Sequence, residues 1–218
     1  EEGIMFIAKA LTINDSLVTL NISRNELADN GIKDLSYRLK DNKRLENLDI
    51  SQNEIEVDGA KSIARLLLFN TVLLSLDISG NEIEDVGAEM IAKALITNIK
   101  TGLVKISVAD NNFGDDGVKA FAETMKRNTT LTFVNMAGNT MTDEGAIAIA
   151  GALQINEILD TLDIEYNDIE DEGAKAIIDA LKNNKKLGTL RIDHNEIKDE
   201  KIRAMVESMR GGDDSRSP

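Results

Sequence analysis

The sequence predicts an α/β solenoid, a row of strand–helix units stacked side by side, and three observations predict it. One segment recurs seven times in phase along nearly the whole chain. Within each copy the apolar spacing switches from period two to the helical period. The composition also suits many small, similar layers rather than one irregular globule: 42% of residues are apolar, yet aromatics are 3% and Trp is absent.

The recurring segment starts as Leu17, Leu20, Ile22, Asn25 and Leu27 and returns as Leu45, Leu48, Ile50, Asn53 and Ile55. It begins again at Leu73, Leu103, Leu131, Leu159 and Leu187. Its asparagine falls at Asn25, Asn53, Asn81, Asn111, Asn139, Asn167 and Asn195, in steps of 28 residues except for the 30 between Asn81 and Asn111. The extra residues are expected in a longer helix-to-strand loop near 98–102. In the first half of a unit, such as 161–165, Leu162 and Ile164 point inward while Thr161, Asp163 and Glu165 point outward, which predicts a half-buried strand. In the second half, apolar residues such as Ala174, Ile177, Ile178 and Leu181 share one helical face. Neither face is buried within one unit, so neighbouring units must complete the core.

Other repeated positions have physical jobs. The asparagine follows the strand, where backbone groups leave the ladder; its amide both donates and accepts, which predicts a structural ladder between units. Asp29, Asp85, Asp115, Asp143, Asp171 and Asp199 stand just before the helix, where a carboxylate is expected to cap it. Val57 breaks that series. Gly31, Gly59, Gly87, Gly117, Gly145 and Gly173 follow two residues later, which implies close backbone packing, and Lys201 in the same slot implies a relaxed last unit.

This pattern, Leu-x-x-Leu-x-Leu-x-x-Asn-x-Ile followed by two acids, Gly-Ala and a long helix, resembles the ribonuclease-inhibitor-like leucine-rich repeats. The resemblance covers residues 1–209 or so and implies a curved horseshoe, with a concave parallel β-sheet and convex α-helices. It further implies action by binding proteins. Relatives include Ran GTPase-activating proteins and the actin-capping tropomodulins, which stand as alternative readings; for the first, Arg24 is the nearest candidate arginine. The domain expected is 1–210, a leading partial repeat plus seven repeats, with a disordered tail at 211–218.

On the open face, the central column runs Asn21, Asp49, Asp77, Ser107, Asn135, Asp163 and Arg191. Most outward residues are small, polar or acidic until the last three units. There Phe133, Tyr166, Arg191 and His194 gather among Asp163, Glu165 and Asp193, and aromatics with arginine are the usual binding anchors. These seven residues form the predicted partner-binding site, with Phe133 read as a ring facing water.

The net charge of −14 disfavours nucleic-acid phosphates and anionic membranes; it reads first as solubility, and alternatively as an acidic surface for a basic protein partner. No Cys is present, so a disulfide framework and a thiolate zinc site are excluded. No nucleophile–base pair, phosphate loop or metal cluster stands out, so neither an enzyme nor a cofactor is expected, and a cytoplasmic location is the default. Met5 and Phe6 occupy outward helical positions where later units carry Lys33 with Asp34 or Lys61 with Ser62. They mark a surface that an upstream element or self-association would cover.

Overall fold

The computed structural model describes residues 2–98 and 102–210. Residues 99–101 of the lengthened loop and the tail expected to be disordered, 211–218, lie outside the described residues. Eight helices and seven strands alternate: α1 (Glu2–Leu11), β1 (Thr19–Asn21), α2 (Ala28–Leu39), β2 (Asn47–Asp49), α3 (Val57–Phe69), β3 (Ser75–Asp77), α4 (Glu84–Thr97) and β4 (Lys105–Ser107), then α5 (Asp115–Arg127), β5 (Phe133–Asn135), α6 (Asp143–Leu153), β6 (Thr161–Asp163), α7 (Asp171–Leu181), β7 (Thr189–Arg191) and α8 (Glu200–Arg210) among the described residues. The strands form one parallel sheet in the order β1 to β7. Each pairs with the next at the sequence repeat, so Asn21, Asp49, Asp77, Ser107, Asn135, Asp163 and Arg191 form one row. This is the α/β leucine-rich-repeat solenoid.

The strand leucines and the inner helix face meet in one continuous core running from Ile4 to Val206. Units stack because each exposes a layer that only the next one covers. Among the described residues nothing packs on the outer side of α1, and Ile7 there is 38% exposed, whereas its counterpart Leu35 in α2 is 1% exposed. Phe113 and Phe121 are both fully buried and stack in the unit after the lengthened loop.

Asparagine amides tie the units together. Asn53 Nδ2 donates to the Ile22 carbonyl of the previous unit, and its Oδ1 accepts from Asn25 N and Leu27 N. Asn139 does the same, donating to Val108 O and accepting from Asn111 N. A second amide ladder, with no counterpart in the sequence reading, runs along the opposite end of the units. Asn42, Asn70, Asn128, Asn156 and Asn184 each donate to a helix carbonyl of the previous unit and accept two backbone N–H groups of their own turn, and Asn98 donates to Leu67 O in the same way; Asn156, for example, reaches Met125 O and holds Ile158 N and Leu159 N. The same 28- and 30-residue steps carried that signal in the sequence.

The aspartates correct an expectation. They do not cap their own helices but clasp the start of the helix in the following unit. Asp143 Oδ1 accepts from Glu170 N and Gly173 N, Asp115 Oδ1 from Thr142 N and Gly145 N, and Asp85 Oδ1 from Gly114 N and Gly117 N. This accounts for the glycine: a Cβ on Gly173 would stand 2.5 Å from Asp143 Oδ1. In the last unit Lys201 occupies the glycine slot, so Asp171 holds Lys198 N and Asp199 N instead. Asp199 instead caps α8 through Lys201 N and Ile202 N.

Candidate protein-binding surface

The outward rows owe their positions to the strand register, and their tilt to the turn that follows each strand. That turn needs a left-handed residue, supplied by Arg24, Gln52, Gly80, Asp110, Gly138, Tyr166 and His194, all with φ between 51° and 67°. Glycine adopts this conformation without steric cost, and other residues do so at about 1 kcal/mol or more. Gly138 has a further reason, because a Cβ there would overlap Asp110 Oδ1. Two neighbouring units nevertheless hold an aromatic ring in this slot. Tyr166 and His194 stack face to face, with ring centroids 4.1 Å apart and planes 9° from parallel. Tyr166 remains 56% exposed, and His194 is exposed as well.

Beside this stack, Arg191 places its guanidinium 3.5 Å from Asp163 Oδ2, with the arginine side chain exposed and the aspartate buried at 5%. Asp163 Oδ1 also accepts from Glu165 N. The same short turn recurs up the central row, where Asn21, Asp49, Asp77 and Asn135 accept the N–H two residues on. Asp163 is therefore a positioning group beneath Arg191 rather than a side chain reaching outward, which departs from the sequence expectation. Phe133 departs too: it is half-buried in the row between Lys105 and Thr161, not an open ring. Glu165 and Asp193 are half-buried.

The register thus brings Tyr166, His194, Arg191, Glu165 and Asp193 onto two adjacent units, with Phe133 one unit away. The surface offers a flat aromatic platform, one tethered cation and two carboxylates. Arg24 is engaged far from it, donating from Nε to Gln52 Oε1 at 2.7 Å. Among the described residues there is no group of His, Cys, Asp and Glu able to hold a metal, and no helix long and apolar enough to cross a membrane.

Two family models match this chain. The leucine-rich-repeat model matches residues 14–36, 41–64 and 69–92, and the TMOD/LMOD leucine-rich domain matches 108–210. With the fold, these make the chain a leucine-rich-repeat protein. Among solved structures it is similar to the leiomodin-1 actin-binding site 2, with 18% identity, a TM-score of 0.59, and coverage of 71% of this chain and 88% of that one. It is similar to the tropomodulin C-terminal domain of Caenorhabditis elegans at 15% identity and a TM-score of 0.57, covering 71% and 92%. Internalin C2 of Listeria monocytogenes is a third, at 17% identity and a TM-score of 0.54, covering 92% and 87%. At these identities the likeness is one of fold. No curated protein matches the chain in sequence.

Proposed function

We propose that the chain is a non-enzymatic scaffold, one solenoid domain over 1–210, that binds a protein through the C-terminal part of its strand-bearing face. The observation that carries this reading is the Tyr166–His194 stack, an exposed aromatic pair kept in left-handed backbone where glycine would serve the fold better. Aromatic platforms bury large area at small entropic cost, and a neighbouring arginine adds directional bonds. Glu165, Asp193 and the net charge of −14 favour a basic partner surface. The cytoplasm is its proposed setting, consistent with a core of aliphatic residues and amide ladders that uses no disulfide.

Affinity capture from the native source with the wild-type chain and with Tyr166→Ala combined with Arg191→Glu tests this. The expected outcome is a partner retained by the first and lost by the second, at unchanged helix content; identical captures would remove the site.

A tropomodulin-like role with actin is the second reading, favoured by the match of the TMOD/LMOD leucine-rich domain to 108–210, the segment that contains the whole cluster. Binding of purified actin to the wild-type chain, abolished in the same double variant, is the expected result of that reading. The ribonuclease-inhibitor-like subtype remains part of the proposal and rests on the 28-residue step. Self-association through α1 is also proposed, because Met5 and Phe6 are 50% and 71% exposed. Met5→Lys with Phe6→Asp, the pair natural to α2, should leave a monomer in analytical ultracentrifugation where the wild-type chain dimerises.

A further inference from the structure

The repeat provides its own control for surface residues, since each helical position is sampled in every unit. At the position of Tyr37 the later units carry Arg65, Lys93, Glu123, Gly151, Asp179 and Glu207. At the position of Phe69 they carry Thr97, Arg127, Ile155 and Asn183. Tyr37 and Phe69 are 66% and 62% exposed, so neither ring serves the core. They flank a groove of about 270 Å³ between α2 and α3 on the helical side of the solenoid. Ser36 and Ser62 line its floor, and in α4 the counterpart of Ser62 is Met90, which packs against the core.

The charge around this groove runs against the rest of the chain. Lys33, Lys40 and Arg65 line it with Asp34 as the lone acid, in a protein of net charge −14. Lys40 lies 4.3 Å from the Tyr37 ring centroid and 4.0 Å from Asp41. Lys33 and Arg65 form no ion pair among the described residues. An apolar slot ringed by three cations, two of them outside any ion pair among the described residues, complements a ligand with one apolar anchor and flanking carboxylates.

We infer that the α2–α3 groove is a second docking site, for an acidic peptide segment that inserts a leucine or phenylalanine between Tyr37 and Phe69 and sets its carboxylates against Lys33, Lys40 and Arg65. This inference is independent of the strand-face reading: the groove is on the other side of the molecule and takes the opposite charge. The occupant is a peptide rather than a nucleotide because the groove is an open furrow along two helix flanks and offers only side-chain cations to an anion.

The test is fluorescence anisotropy with a labelled Glu-Glu-Asp-Leu-Phe-Glu-Asp peptide. Saturable binding is expected, falling steeply with salt. Tyr37→Glu with Phe69→Asn, residues that other units carry at these positions, should weaken it at least about tenfold, as should Arg65→Glu alone. A peptide with Ser-Ser in place of Leu-Phe should bind at least about fivefold more weakly. Tyr166→Ala with Arg191→Glu should leave the affinity unchanged. Circular dichroism verifies that each variant folds, and Lys33→Glu substitutes for any that does not. No saturable binding up to about 1 mM, full binding by the folded groove variants, or loss of binding in the strand-face variant would each overturn the assignment. So would saturable binding of ATP at the groove by a chain that ignores the peptide.

Discussion

The helices α5, α6 and α7 start differently from α4, and the difference traces to one residue in the unit before. Ahead of the first three stand Asp85, Asp115 and Asp143, and each helix is preceded by a residue outside the helical region, Gly114, Thr142 or Glu170, the last two extended. Ahead of α4 stands Val57. There the helix begins at Glu84 with φ 54°, Ile83 before it is already helical, and Glu84 N turns to the main-chain carbonyl of Asn111. The same unit boundary leaves Asn111 Oδ1 buried without a hydrogen-bond partner among the described residues. α2 starts like α4, with Ala28 at φ 47°. A carboxylate in one unit thus sets the backbone of the next, and with Val57 in that place α4 finds another start.

The largest effect should come from breaking an amide rung. Asn139→Ala strips partners from buried backbone groups of two units and should cost about 3–5 kcal/mol, read as a lower denaturant midpoint. Gly173→Ala forces a Cβ against Asp143 Oδ1 and Ala146 Cβ, the latter at 2.8 Å; about 2–3 kcal/mol of destabilisation is expected, and adding Asp143→Ala should give a double variant less destabilised than the sum of the two single changes, because the contact with the Asp143 oxygen is counted in only one of them. Val57→Asp sharpens the comparison from the other side. By supplying an acceptor for Glu84 N and Gly87 N it should raise stability by about 1 kcal/mol and move Glu84 out of the left-handed region in a crystal structure.

The smallest effect concerns pH. Backbone N–H bonds from Asp199 and Lys198 hold the Asp171 carboxyl below its usual range. A depressed carboxylate stabilises the fold above the ordinary carboxylate range and loses that contribution as pH falls through it. The start of α8 should therefore fray in acid before the interior, visible as faster amide exchange at Lys198 and Asp199, and Asp171→Asn should remove that pH dependence.

Much of this molecule was legible along the chain. Seven in-phase asparagines and the change of apolar period specify the solenoid, its parallel register and the rows on its face, because stacking identical units leaves one way to bury both faces. The partner-binding cluster was legible as a neighbourhood, since register alone places units six and seven side by side. Its internal order was not. Tyr166 and His194 stack, Asp163 sinks beneath Arg191 and Phe133 is half covered because side chains in adjacent rows compete for space and bonds, a contest that period and spacing do not express.

Repetition by itself determined which residues are equivalent and which face is inner or outer, because a fixed period turns sequence position into location. Tertiary structure alone decided which unit each repeated group serves. The aspartates find their acceptor geometry about 28 residues away in the next unit, and the second row of amides accepts within its own turn while donating to the unit before. The groove between α2 and α3 likewise exists only once the two helices lie together.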